Sequence, residues 1–123
     1  MSKRGKILIV EDSLITSIHL EKLVLSAGFE IFGKTDFAEQ VQPLCSHEQP
    51  DLILMDIMLN GEMSGVDAAE QLRLLNQDMP IVFVSALSDS ETQSRISGIA
   101  NSTIVPKPFD HTLLVSTIGN YLN

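Results

Sequence analysis

"DLILMDIML", residues 51–59, sets an acid, Asp56, directly after the four-residue apolar run Leu52–Met55. Such a run has the length and composition of a buried strand. A buried strand excludes an ionised carboxylate unless something pairs with it, because stripping a charge of water is costly. The position of Asp56 therefore asks what lies beside it in space.

Similar runs recur along the chain. Lys6–Val10, Glu30–Gly33, Ile81–Val84 and Thr103–Val105 join Leu52–Met55, and three of the five are almost continuously apolar, as parallel strands covered on both faces are. Between them the spacing predicts helices. Leu14, Ile15, Ile18 and Leu25 mark the first, closed by Gly28. Asp36 with Glu39, and Ser88 with Glu91, have capping-box spacing for the second and fourth. Pro43 shortens or kinks the second. Val66, Ala69 and Leu72 mark the third. Leu114, Ile118, Tyr121 and Leu122 follow a cap at Asp110 in the fifth. The fold expected is α/β: a (βα)5 doubly wound, five-stranded parallel sheet over residues 1–123. Pro106 at the end of the fifth run favours an edge position, which the flavodoxin-like strand order 2-1-3-4-5 provides.

Composition narrows the function classes. Sixteen acids against eight bases give a net charge of −8, which repels nucleic acid and anionic membrane surfaces. No apolar run approaches the ~20 residues that span a bilayer, and the stretch before Glu11 is too short for a signal peptide. One cysteine, Cys45, allows no internal disulfide and fits a reducing cytoplasm, where it serves as a small core residue. His19, His47 and His111 lack ligand spacing along the chain and read as surface residues.

The ends of the runs carry the chemistry. Glu11 and Asp12 follow the first, Asp56 the third and Ser85 the fourth, while Lys107 stands just past the fifth. In a parallel sheet these ends share one edge, and strands one and three flank the switch point where ligands bind. Each residue has a plain alternative: Glu11 and Asp12 as helix caps, Ser85 as a turn residue, Lys107 as a solvated side chain, Asp56 as a turn former. Their joint placement tips the reading to a site. Like charges ~4 Å apart cost on the order of 4 kcal/mol per pair at an effective dielectric of 20, so three carboxylates call for a cation. Mg²⁺ suits carboxylates with waters and a phosphoryl oxygen. Asp56 would act as nucleophile, with Lys107 and the metal neutralising charge and Ser85 bonding the transferred oxygens. Removing a charge, by Asp56→Asn or Asp12→Ala, should then stabilise the metal-free fold.

The motifs "ILIVEDS" (7–13), "PDLILMDIML" (50–59), "PIVFVSA" (80–86) and "KPF" (107–109) resemble, in this order and spacing, the CheY-like response-regulator receiver domain of two-component signalling. The resemblance covers essentially the whole chain. It implies that Asp56 is the phosphoacceptor, that Glu11, Asp12 and Asp56 hold Mg²⁺ together with the Met58 backbone carbonyl, that Ser85 is the switch hydroxyl, and that Lys107 precedes a cis bond to Pro108. It also implies a donor, a phosphohistidine on a sensor histidine kinase or histidine phosphotransfer protein. The domain would be cytoplasmic and would not turn over a separate substrate. Its downstream protein target or output domain would lie outside this chain.

Two features depart from the family pattern. Ile104 stands where an aromatic usually swings inward, and the loop "MLNGEMSG" (58–65) lacks the usual proline and runs one residue longer. The fourth helix has Ile96 as its clear apolar anchor, which fits either an element that shifts when Ser85 follows the phosphoryl group or simply a polar surface helix. Other functions fit less well. An Asp-nucleophile phosphatase would want a second Asp at position 58, and a nucleotide or flavin binder a Gly-rich phosphate loop where "EDSLITS" stands. A receiver-like interaction module that is never phosphorylated is the remaining alternative.

Overall fold

The computed structural model describes residues 5–86 and 89–122. Strand β1 (Lys6–Val10) leads to helix α1 (Leu14–Ser26), and β2 (Glu30–Thr35) to a 3-10 turn (Ala38–Gln40) that runs into the four-residue α2 (Val41–Leu44). Then come β3 (Leu52–Met55), α3 (Gly65–Leu74), β4 (Ile81–Ser85), α4 (Ser90–Ser97), β5 (Ser102–Pro106) and α5 (His111–Leu122). All strand pairs are parallel, in the order 2-1-3-4-5. β5 is an edge strand, the position Pro106 favours.

The continuous apolar runs are explained by two cores, one on each face of the sheet. Leu8, Val10, Ile53, Met55, Ile81 and Phe83 face one core, closed by Val41, Val66, Ala69, Leu72 and Ile96 of α2, α3 and α4. Ile7, Ile9, Leu52, Leu54, Val82 and Val84 face the other, closed by Leu20, Leu23 and Val24 of α1 and Leu114 and Ile118 of α5. Alternate residues of one strand thus serve opposite cores, so the central runs of β1, β3 and β4 are apolar on both faces.

Helix α1 differs from the sequence expectation in its face. Leu14 and Ile15 are 72% and 82% exposed, and Ile18 and Leu25 also reach solvent; Ser17, Leu20, Leu23 and Val24 are the buried set. The helix is apolar nearly all round, so two stripes of helical spacing compete and only packing selects one. Ser13 caps α1 by accepting from the Thr16 N–H, and Gly28, at φ 95°, takes the left-handed turn beyond its end.

The proposed Asp36–Glu39 capping box does not form. The 3-10 turn has Phe37 at its N-cap with no side-chain bond. Glu39 instead accepts from the N–H groups of Glu62 and Met63, at 3.0 and 3.2 Å, and so staples the long β3–α3 loop. In the proposed Ser88–Glu91 box, Ser88 lies outside the described residues; α4 is capped by Asp89, which accepts from the Thr92 N–H at 2.8 Å. Asp110 caps α5 through the N–H groups of Thr112 and Leu113, as the sequence indicated.

Candidate functional site

The parallel register brings the strand ends together. The Asp56 N–H donates to the Val10 carbonyl at 2.9 Å, so β3 delivers Asp56 beside the turn that carries Glu11 and Asp12. The Lys107 N–H donates to the Ser85 carbonyl at 2.9 Å, which fixes the end of β5 against β4. The Lys107–Pro108 peptide is cis, as the resemblance implied.

Glu11 and Asp56 are only 4% and 7% exposed, and Asp12 is half-buried. One carboxylate oxygen from each of Glu11, Asp12 and Asp56 lies within 4.8 Å of the others. The Lys107 ammonium donates to Glu11 Oε1 at 2.9 Å and to Asp56 Oδ2 at 3.1 Å. Three carboxylates against one ammonium leave two uncompensated negative charges, the deficit that one divalent cation fills. Octahedral Mg²⁺ has ligands at ~2.1 Å, so adjacent corners lie ~3.0 Å and opposite corners ~4.2 Å apart, and the three oxygens would draw inward to take up such corners. The donor set is all oxygen, as a hard cation requires.

Glu11 has two bonds. Its Oε2 accepts from the Ser13 N–H at 3.1 Å, so the residue braces the start of α1 and also faces the site. Burial pushes the Glu11 carboxyl above its ordinary range; Lys107 and the Ser13 N–H pull it down only in part, and the Asp56 charge pushes it further up. For Lys107, burial opposes the ammonium, but the Glu11 bond and the Asp56 charge outweigh it and hold its pKa above the usual value. The lysine therefore stays charged across the neutral range.

Ser85 is 4% exposed at the end of β4, the strand next to β3. Met58 stands two residues past Asp56, its side chain in solvent. Beside the acids, Leu14, Ser17, Lys34, Thr35 and Asp36 join Glu11 and Asp12 around an open hollow of about 250 Å³. Ile104, half-buried, packs its aliphatic side chain against the core of α2, α3 and α4.

Two supports escaped the sequence reading. Gly65 opens α3 so close to β3 that a Cβ there would sit 2.0 Å from the Asp56 carbonyl oxygen, while its N–H donates to Ile57 O at 2.8 Å. Ser64 and Asp67 form a full capping box at this helix start, and "SGVD" carried that signal. Asp67 Oδ1 also accepts from Arg95 at 2.8 Å, and Glu70 takes the same guanidinium at 2.6 and 3.2 Å, tying α4 to α3.

The order 2-1-3-4-5, with acids at the switch point and a lysine on the neighbouring rim, defines an open doubly wound domain built around a cation-seeking carboxylate site. Comparison with known proteins makes the class specific: the chain belongs to the response regulator receiver domain family, whose model matches residues 7–119. It is 32% identical over 98% of its length to the uncharacterized transcriptional regulatory protein YbdJ of Bacillus subtilis, of which it spans 52%. It is 25% identical to the chemotaxis protein CheY of Thermotoga maritima over 97% of both chains. Among solved structures, the signal receiver domain of a modulated diguanylate cyclase from Desulfovibrio desulfuricans superposes with a TM-score of 0.88 at 28% identity, covering 98% of this chain and 94% of that one. The chain thus spans about half the length of the transcriptional regulator it matches and nearly all of the chemotaxis protein. Family membership sets it among the receivers of two-component signalling. Among the described residues no helix is long and apolar enough to cross a membrane.

Proposed function

We propose that residues 1–123 act as one receiver domain that takes a phosphoryl group onto Asp56 from a phosphohistidine of a sensor histidine kinase or histidine phosphotransfer protein. The observation that carries this reading is the shared Lys107 ammonium between Glu11 and Asp56 beside Asp12, which leaves a divalent charge deficit around one buried nucleophile. A carboxylate oxygen of Asp56 attacks phosphorus and the P–N bond to the donor imidazole breaks; the ring, already protonated on its other nitrogen, leaves as neutral imidazole. Glu11, Asp12, Asp56 and the Met58 carbonyl would hold Mg²⁺, which supplies charge neutralisation to the phosphoryl oxygens. Lys107 stabilises the charge that grows on those oxygens, and Ser85 donates its hydroxyl to one of them.

The product alters a small set of contacts. Phosphorylation turns an Asp56 carboxylate into an acyl phosphate and redirects Lys107 and Ser85. Helix α4 buries only Ile96 of its eight residues, so its apolar anchor is thin and it is the element that shifts. The signal then passes, in the cytoplasm, to a protein target or output domain outside these residues, without direct nucleic-acid binding or turnover of a separate substrate. Incubation with acetyl phosphate and Mg²⁺, followed by intact mass, tests the reading. One added phosphoryl group in the wild type and none in Asp56→Asn is the result expected. No addition at all would favour an interaction module that is never phosphorylated.

A further inference from the structure

Helix α1 and the start of α5 are joined by rings that phosphoryl transfer does not use. His19 of α1 and His111, the first residue of α5, set their Nε2 atoms 2.8 Å apart, with ring centroids 4.7 Å apart and planes at 68°. Phe109 lies against both, its centroid 5.1 Å from His19 and 5.7 Å from His111, where it stacks at 27°. Phe109 is packed on the α1–α5 core, so it fixes the two exposed imidazoles on a firm base. Along the chain these two histidines lack ligand spacing; packing of α1 against α5 supplies it.

A bond between two Nε2 atoms needs one imidazole as donor and the other, neutral, as acceptor. The same two atoms are metal donors. Adjacent corners of a tetragonal site with bonds of ~2.0 Å lie ~2.8 Å apart, whereas a tetrahedral ion at that length spreads its ligands to ~3.3 Å. We propose that His19 and His111 chelate a late first-row divalent metal ion of the copper–nickel class; the donor ring's Nε2 proton passes through solvent to its own Nδ1, which frees both Nε2 atoms as the two exposed rings turn toward the ion. Water completes the shell: among the described residues, Glu11, Asp12 and Asp56 form the one group of three or more candidate ligands close enough to share an ion. Imidazole nitrogen prefers such metals and the all-oxygen rim prefers Mg²⁺, so the two sites select different ions. The inference does not depend on phosphorylation. The bound ion would pin α1 to the segment Lys107–His111 and restrain the backbone that carries Lys107.

Nickel titration of the full chain in excess Mg²⁺, followed by ¹H–¹⁵N NMR and calorimetry, tests this. Paramagnetic broadening should centre on residues around His19 and His111. His19→Gln and His111→Gln should each weaken the site by roughly tenfold or more, since either removes the chelate, and the double variant should lose little further. His47→Gln, at an exposed histidine on another face, should bind like the wild type, and all variants should keep the wild-type melting temperature without metal to within a few degrees. Unchanged affinity in both single variants would overturn the proposal. So would broadening centred on Asp12 and Asp56, or an equal loss in His47→Gln.

Discussion

Replacing Asp12 by asparagine removes one of three crowded charges while keeping the shape of the side chain. Its carboxylate oxygen lies within 4.8 Å of those of Glu11 and Asp56, and Lys107 bonds the other two acids but not this one. At 4.8 Å, the widest these oxygens stand apart, each repulsion is already about 3.5 kcal/mol at an effective dielectric of 20 and about 1 kcal/mol in water. Asp12 is half-buried and the Lys107 charge offsets part of the repulsion, so about 1 to 2 kcal/mol of relief is expected. For a domain of this size that raises the melting temperature by roughly 4 °C per kcal/mol. Thermal melts in chelator should show Asp12→Asn above the wild type. Added Mg²⁺ should reverse the order, because an ion at 100 times its Kd stabilises the wild type by ~2.7 kcal/mol and the variant has lost a ligand. A variant that melts below the wild type in chelator would refute the charge-crowding argument. Asp56→Asn is a weaker test than the sequence suggested, because it also removes the charge that pairs with Lys107 at Oδ2.

Further outcomes follow from the same geometry. Gly65→Ala should destabilise by about 1–3 kcal/mol and weaken Mg²⁺ binding, measured by denaturant melts and by titration, because the new methyl group meets the Asp56 carbonyl. In metal-free buffer the raised Glu11 pKa means the folded state holds a proton more tightly than the unfolded chain. Its stabilising contribution is complete below the unfolded value near 4.5 and is lost as pH rises through the folded value. Glu11→Gln should therefore show a smaller fall in melting temperature than the wild type as pH rises from about 4.5 toward neutrality. Cys45 is buried and its thiol is pushed up to about 11 by burial, so a thiol reagent should label it only at the rate of unfolding. Arg95→Met should speed amide exchange across Ser90–Ser97 with little change in melting temperature, since it cuts the fork to Asp67 and Glu70 on exposed surface.

The parallel strands and the rim were legible because both follow from local pattern, whereas the strand order rested on Pro106 and the flavodoxin-like arrangement. A parallel strand buried on two faces reads as an unbroken apolar run, and an acid just past its end can only face the carboxyl edge. Glu11, Asp12, Asp56 and Lys107 converge as that logic required. What escaped depends on contacts between distant segments. The buried face of α1 could not be chosen from a helix with apolar residues on every side. Glu39 was assigned to its own helix, yet it bonds backbone 23 and 24 residues away. Gly65 matters for what its missing Cβ would strike, and spacing says nothing of that. His19 and His111 met for the same reason: helix packing, not sequence interval, sets their distance.

Borohydride reduction after phosphorylation by acetyl phosphate and Mg²⁺, followed by peptide sequencing, reads the acceptor residue directly, because an aspartyl phosphate reduces to homoserine. Homoserine at position 56 alone, and its absence when Mg²⁺ is withheld, is the predicted result. Homoserine at Asp12 or elsewhere with position 56 intact would contradict the assignment of the buried carboxylate beside Lys107 as the group that takes the phosphoryl.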